Sequence, residues 1–179
     1  EARFCIYTAR PSLPPRSVNV SSQHYSPEAE MAVELVGLTF LPMIAFGRLQ
    51  YAAETMDLNL DALVKPSPVQ ALAAIAAAWL KDEVAALKWA VRFWQSTQAG
   101  RQKFLIDLPG QLEIHVFEDS PPGIFAVKKA VEMLKQAGLG IQLTSWGIST
   151  VAQKIIALED EGARVLEDIN DALQIALAS

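Results

Sequence analysis

Two adjacent acidic residues at the end of an apolar stretch are the strongest chemical signal in the chain. Val116-Phe117 runs directly into Glu118-Asp119, and a Ser-Pro-Pro-Gly turn follows. Two carboxylates at the end of a buried strand are costly unless another charge compensates them. A divalent cation would do so, and oxygen ligands suit Mg²⁺. Ligands also bind at the carboxyl ends of strands in open α/β sheets, so Glu118 and Asp119 predict a metal site there.

Alternating strand and helix patterns position these acids. The apolar runs and turn signals predict strands over 4–7, 42–46, 112–117, 141–144 and 164–166. They predict helices from Ser26-Pro27 to about 37 and over 51–56, 69–80, 82–96, 122–137, 150–161 and 170–178. In the second half this alternation predicts a parallel sheet with helices on both faces. The expected fold is α/β, a three-layer Rossmann-like domain with a mainly parallel central sheet.

Composition narrows the class of protein. The 179 residues fit one domain, 1–179, in which the Trp-bearing helix over 82–96 is an extra element. The net charge of −5 argues against nucleic-acid binding. The sequence has no apolar run of about 18 residues, so no membrane span is expected. The single Cys5 cannot form an intrachain disulfide, and a reducing cytoplasm is the simplest location.

Three motifs occur in an informative order. They are a strand ending in Thr8, a loop Lys65-Pro66-Ser67-Pro68 before a helix, and Glu118-Asp119-Ser120 followed by Gly123-Ile124. Together they resemble the second, third and fourth motifs of the haloacid dehalogenase-like hydrolase superfamily, and the resemblance covers about residues 3–177. Members of this superfamily are mostly Mg²⁺-dependent phosphatases and phosphomutases. The resemblance therefore implies a Mg²⁺-dependent phosphohydrolase acting on a small phosphorylated metabolite.

The resemblance also implies a role for each matching residue. Thr8 would offer its hydroxyl and a neighbouring amide to a phosphoryl oxygen, and Lys65 would stabilise the phosphate and the transition-state charge. Glu118 and Asp119 would hold Mg²⁺ directly or through water, and Ser120 would orient the two acids. These roles assign Thr8 and Lys65 to both catalysis and substrate binding.

The family's first motif is missing from the chain. That motif is an apolar strand ending in Asp-x-Asp, which supplies the nucleophile and the general acid/base, and the sequence contains no Asp-x-Asp. The motif and its strand are expected upstream of residue 1, along with any cap domain. The strand would lie between the predicted strands at 4–7 and 112–117. Alternatives are a strand from another chain or a rearranged domain.

Displaced copies of that motif are unconvincing. In the segment 104–110 an apolar run does end in Asp107, but Pro109 replaces the second acid. The segment 57–61 has no preceding apolar strand. The sequence therefore also allows a catalytically silent family member that binds phosphate-containing ligands or a protein partner, or a phosphomutase.

Other polar and aromatic residues have simpler interpretations. Arg10 lies close enough to Thr8 in sequence to touch substrate, although a surface position is the alternative. Acids at a helix start can also serve as helix caps, which is the alternative for Glu118-Asp119. His115 lies inside a strand without a second His or Cys nearby, so packing is expected. The Trp residues at 79, 89 and 94 are expected to pack internally, with a homodimer surface as the other possibility.

Overall fold

The structure is a computed structural model that describes residues 2–19 and 24–178, without the side chains of residues 106 and 107. It is an α/β protein with parallel sheets. The chain forms two compact units, Glu1–Leu108 and Pro109–Ser179. No helix within the described residues is long and apolar enough to cross a membrane.

The first unit combines two short strands with several helices. Strand β1 (Ile6–Tyr7) pairs in parallel with β2 (Met43–Ile44), with Ile6 opposite Met43 and Tyr7 opposite Ile44. The helices are α1 (Glu28–Leu35), α2 (Phe46–Met56), α3 (Val69–Leu80), α4 (Glu83–Gln95) and α5 (Gln98–Arg101). Short 3₁₀ helices span Leu60–Ala62 and Gln102–Asp107. Helix α3 is the Ala-rich segment, and its close contact with α4 follows from the small side chains on most of its faces.

A buried ion-pair network connects the elements of this unit. The Arg48 side chain on α2 is fully buried and pairs with Glu30 on α1 and with Glu83 on α4, the latter at 3.3 Å. Its guanidinium also donates to the Leu13 carbonyl at 2.7 Å. The other carboxylate oxygen of Glu83 accepts from the Met43 amide at 2.9 Å. One cation therefore holds together three helices and a loop, and Glu83 links them to β2.

The second unit has the regular alternation that the sequence predicts. Strands β3 (Gln111–Glu118), β4 (Gly140–Ile148) and β5 (Arg164–Leu166) form a parallel sheet in the order β3-β4-β5. Helices α6 (Pro121–Gln136), α7 (Ala152–Asp160) and α8 (Ile169–Leu177) follow the strands in turn. Gly147 on β4 allows close packing, because a Cβ there would lie 3.1 Å from Leu158 on α7. The unit is therefore a small βαβαβα arrangement.

One face of this sheet carries an aromatic row. Trp146 on β4 is buried and stacks near His115 and Phe117 on β3, with centroid distances of 6.3 and 6.2 Å. The indole Nε1 donates to His115 Nδ1 at 3.1 Å, and the other imidazole nitrogen lies 3.1 Å from Glu113 Oε1. Both imidazole nitrogens have partners, in agreement with the packing interpretation of His115.

The observed elements differ from the sequence-based bounds mainly at their ends. Strand β1 starts at Ile6 instead of residue 4, whereas β4 continues four residues past the predicted end at 144. Glu118 is the last residue of β3, so it belongs to the strand itself. The segment 104–110 contains no strand, because its apolar residues lie in the 3₁₀ helix Gln102–Asp107. This backbone gives Asp107 no strand-end position, and its side chain lies outside the described residues.

The described strands form two separate sheets. Strand β1 pairs with β2, and β3 pairs with β4, which also pairs with β5. Within the described residues neither β1 nor β3 has a strand on its other edge. A further central strand and a three-layer Rossmann-like arrangement of the whole chain remain predictions, as does the single domain over 1–179.

Candidate functional site

Thr8 lies directly after β1, where the backbone leaves the sheet. Its amide donates to the Ile44 carbonyl at 3.3 Å, which extends the pairing with β2 by one bond. Its hydroxyl oxygen accepts from the Arg10 amide at 3.2 Å. None of the described residues accepts a hydrogen bond from the Thr8 hydroxyl or from the Ala9 amide. Both groups are therefore available as donors to an anionic oxygen.

Lys65 is positioned at this end of β1 by an aromatic ring. Its ammonium Nζ lies 3.9 Å from the ring centroid of Tyr7, the residue before Thr8. A cation over the face of a tyrosine is attracted by the ring quadrupole, and this contact positions the Lys65 side chain. The Lys65–Pro66 peptide bond is cis. The structure therefore brings Thr8 and Lys65 to one region of the first unit.

A buried glutamine that the motifs did not indicate supports the same strand ends. Gln70 on α3 is almost fully buried, and its amide nitrogen donates to the carbonyls of Thr8 and Ile44 at 2.7 and 3.1 Å. One side chain thus joins the carboxyl ends of both strands. The available sequence signal was a lone polar residue in the apolar helix 69–80. Gln70 is a positioning residue for the Thr8 backbone.

Glu118 is held in a cradle between its strand and the following helix. Its side chain is 7% exposed, and Ser120 donates its hydroxyl to Oε2 at 3.1 Å. A Cβ on Gly123 would lie 2.5 Å from the same oxygen, so only a glycine leaves room for the carboxyl group. The Ser120 hydroxyl thus holds the Glu118 carboxylate at this end of β3; a role in orienting both acids stays a prediction.

Asp119 has a different environment although it is the next residue. Its side chain is 70% exposed, and Lys154 on α7 lies 3.3 Å from Oδ2. Lys154 is itself half exposed, so water screens this pair. The carboxylate therefore remains accessible to a cation that can displace the lysine. Asp119 is the exposed member of the two acids and Glu118 the buried one.

The donor set limits the metals that could bind. Among the described residues no group of three or more His, Cys, Asp or Glu side chains gathers at one point. A fully protein-ligated zinc or calcium site is therefore not found in this part of the chain. Mg²⁺ keeps several waters and uses one or two carboxylates, which Glu118 and Asp119 can supply. The oxygen-only pair and the cradle of Gly123 fit this ion.

The remaining predicted site residue lies beside Thr8. Arg10 is exposed, its amide donates to the Thr8 hydroxyl, and its carbonyl accepts from the Phe46 amide at 3.2 Å. The backbone of Arg10 thus shapes the loop after β1. Contact of its guanidinium with substrate stays a prediction.

Comparison with known proteins identifies no matching family model, no matching curated protein and no matching solved structure. The interpretation of the site therefore depends on the chain's own residues.

Proposed function

We propose that the chain carries the phosphate-binding and Mg²⁺-binding residues of a phosphohydrolase similar to the haloacid dehalogenase-like enzymes. Its substrate is a small phosphorylated metabolite, and the nucleophilic Asp comes from a segment outside the printed sequence. The cytoplasm is the proposed location.

The observation that carries the proposal is the cradle around Glu118. A carboxylate is held at the carboxyl end of a parallel strand by Ser120, and the space it occupies exists because residue 123 is a glycine. Strand ends of this kind are the usual ligand positions in α/β sheets. A preorganised carboxylate beside a second, accessible one supports Mg²⁺ binding, since Mg²⁺ demands near-ideal ligand geometry.

The residues after β1 support the phosphate half of the proposal. Thr8 offers a hydroxyl, the next residue offers an amide, and Lys65 offers a cation held by Tyr7. Neutral donors and one compact ammonium are typical of sites that bind a phosphoryl group without bidentate contacts.

Each group has a defined task in the proposed reaction. The hydroxyl of Thr8 and the ammonium of Lys65 hold the phosphoryl oxygens and stabilise the charge that builds up on them in the transition state. Glu118 and Asp119 hold Mg²⁺, which when bound screens the repulsion between an attacking carboxylate and the phosphate. The Gln70 side-chain amide keeps the Thr8 backbone in place by donating to the Thr8 carbonyl.

Linked binding of Mg²⁺ and inorganic phosphate tests the proposal. Calorimetry on the 179-residue chain should show tighter phosphate binding when Mg²⁺ is present, because the proposed reaction uses both ligands together and the coupling between two bound ligands is reciprocal. Lys65→Gln should weaken phosphate binding, and Glu118→Gln should remove the Mg²⁺ effect. The control Lys88→Gln makes the same charge change at an exposed residue of α4. Phosphate binding that ignores Mg²⁺ and Lys65 would refute the proposal.

The absence of an Asp-x-Asp motif supports a second candidate, a catalytically silent phosphate-binding relative. Turnover of p-nitrophenyl phosphate by the protein with its native upstream sequence separates the two. If that protein is active, Lys65→Ala should lower its turnover about 10²–10³-fold, the usual effect of losing one electrostatic stabiliser. Linked binding without any turnover would favour the silent relative. Return of phosphate to a sugar instead of water would identify a phosphomutase.

A further inference from the structure

A cavity of the first unit lies at the amino ends of β1 and β2. Its volume is about 500 Å³, and its lining includes Arg3 and Phe4 before β1, Phe40 before β2, and Arg16 and Lys81. Thr8 follows the opposite, carboxyl end of β1. The cavity is therefore separate from the phosphate-binding residues proposed above. Its volume is in the range of small-molecule sites.

The three cations of this cavity have no ion-pair partner among the described residues, and backbone or ring contacts position two of them. The Arg3 guanidinium lies 3.8 Å from the ring centroid of Trp79 and donates to the Trp79 carbonyl at 2.9 Å. Arg16 donates one nitrogen to the Thr39 carbonyl. Lys81 follows α3 with a positive φ of 56° and has no ion-pair partner among the described residues. Each of the three side chains keeps donors that none of these contacts uses.

The two acids that line the cavity are engaged elsewhere. Asp82 caps α4, accepting from the Ala85 amide at 3.0 Å. Glu83 forms an ion pair with Arg48 and accepts a hydrogen bond from the Met43 amide. It also accepts from the Arg16 amide at 3.3 Å. Their charges are therefore directed at helix and loop donors. Although the whole chain has a net charge of −5, the three cations that line this cavity attract anions to it.

Two exposed phenylalanine rings belong to the apolar part of the lining. Phe4 is 44% and Phe40 74% exposed, and Leu41, Pro42 and Ala78 complete the apolar wall. The faces of phenylalanine rings stack well on planar rings. A ligand for this lining has one flat apolar end and one anionic end.

We propose that this cavity binds a small anion that carries a planar ring, of the size and chemistry of a nucleoside monophosphate. Phe4 and Phe40 would stack on the ring, and Arg3, Arg16 and Lys81 would contact the anionic group. The volume of the cavity and the acidic net charge of the chain favour a small molecule over a nucleic-acid strand.

Titration of the 179-residue chain with adenosine 5′-monophosphate tests the proposal. Binding is followed by calorimetry, with adenosine and ribose 5-phosphate as the two halves of the probe. We expect the intact nucleotide to bind at least roughly tenfold more tightly than either half, because each half satisfies one part of the lining. Equal binding of ribose 5-phosphate would show a site for phosphate alone and overturn the proposal, as would absence of saturable binding.

Matched variants locate the binding site. Lys81→Gln should weaken nucleotide binding about tenfold, whereas Lys88→Gln, which makes the same charge change on α4, should not alter it. Phe40→Ala should weaken binding several-fold, with Leu35→Ala, at a residue 87% exposed, as its control. All of these positions are exposed, so the variants should keep the wild-type melting temperature.

One further variant separates this proposal from the proposed phosphohydrolase. Lys65→Gln should leave nucleotide binding in the cavity unchanged. Nucleotide binding that disappears in Lys65→Gln and persists in Lys81→Gln would place the nucleotide at the Thr8 end of β1 and overturn the inference. Loss of phosphate binding in Lys65→Gln with nucleotide binding retained would support both proposals independently.

Discussion

Replacing Gly123 by alanine tests the cradle around Glu118 directly. The new Cβ would lie 2.5 Å from Glu118 Oε2, whereas non-bonded heavy atoms prefer separations of about 3.5–4.0 Å. The carboxyl group must therefore move by about 1 Å. Because Mg²⁺ accepts ligands only near 2.0–2.1 Å, such a displacement removes one ligand or distorts the site. We expect Mg²⁺ affinity to fall about 10–100-fold, as for other changes next to metal ligands.

The stability of the same variant should hardly change. Alanine favours a helix over glycine by about 1 kcal/mol, while loss of the hydrogen bond between Ser120 and Glu118 costs about the same. The carboxyl group is the end of a flexible side chain and can rotate toward water. Urea unfolding should therefore give a free energy of unfolding within about 1 kcal/mol of wild type.

Gly110→Ala is the matched control for this experiment. Gly110 precedes β3 in the same unit, and a Cβ there meets no atom within 4 Å. Its Mg²⁺ affinity by calorimetry should equal that of the wild type. Wild-type Mg²⁺ affinity in Gly123→Ala would refute the cradle as part of a metal site. A large loss of stability in that variant would show that the Glu118 carboxyl group cannot move aside.

Three further predictions concern buried polar groups. Arg48→Met should lower the free energy of unfolding by about 3–5 kcal/mol, because two glutamates lose their buried cation; in urea unfolding the exposed Arg92→Gln should change it by less than about 0.5 kcal/mol. Burial of the Cys5 thiol raises its pKa from 9.0 to about 12, so native protein should react slowly with iodoacetamide at pH 8 and urea-unfolded protein quickly. Fast labelling of the native protein would contradict this burial. Because the thiol of the unfolded chain ionises at a lower pH than that of the folded chain, the free energy of unfolding should also fall as the pH rises from about 9 to 12. His115→Leu leaves the buried Trp146 indole N–H without its acceptor, which should cost about 1–3 kcal/mol in thermal unfolding; an unchanged melting temperature would contradict that role.

The second unit was largely predictable from sequence because its elements are local and regular. Strand β5 and the helix that begins at Pro121 follow directly from apolar runs, prolines at a helix start and glycines at turns. Strand β4 was predicted too short, because residues 145–148 include Ser, Trp and Gly, which do not alternate clearly. The first unit was harder, since its two-residue strands are defined by pairing instead of by sequence pattern.

The motifs indicated the charged residues of the candidate site but not the groups that contact them. Gln70 and Lys154 act across long sequence separations, one on the Thr8 carbonyl and one on Asp119. Such contacts depend on how helices pack on strands, which spacing within one segment does not encode. Gly123 was visible in the sequence as part of a motif. The structure gives the reason for a glycine at this position, because the Glu118 carboxyl group fills the space that a Cβ would occupy.

The two adjacent acids illustrate why sequence proximity does not imply equivalent function. Glu118 is the last residue of β3 and its carboxylate lies in the cradle, whereas Asp119 follows the strand and its carboxylate lies beside Lys154. A buried carboxylate held by Ser120 has lost its freedom before any cation arrives, whereas the exposed Asp119 must release a lysine on binding. Glu118 should therefore determine where Mg²⁺ binds, and Asp119 should adjust how tightly. Under this division, Glu118→Gln should abolish Mg²⁺ binding, and Asp119→Asn should weaken it by a smaller factor in calorimetry; the reverse order would refute the division.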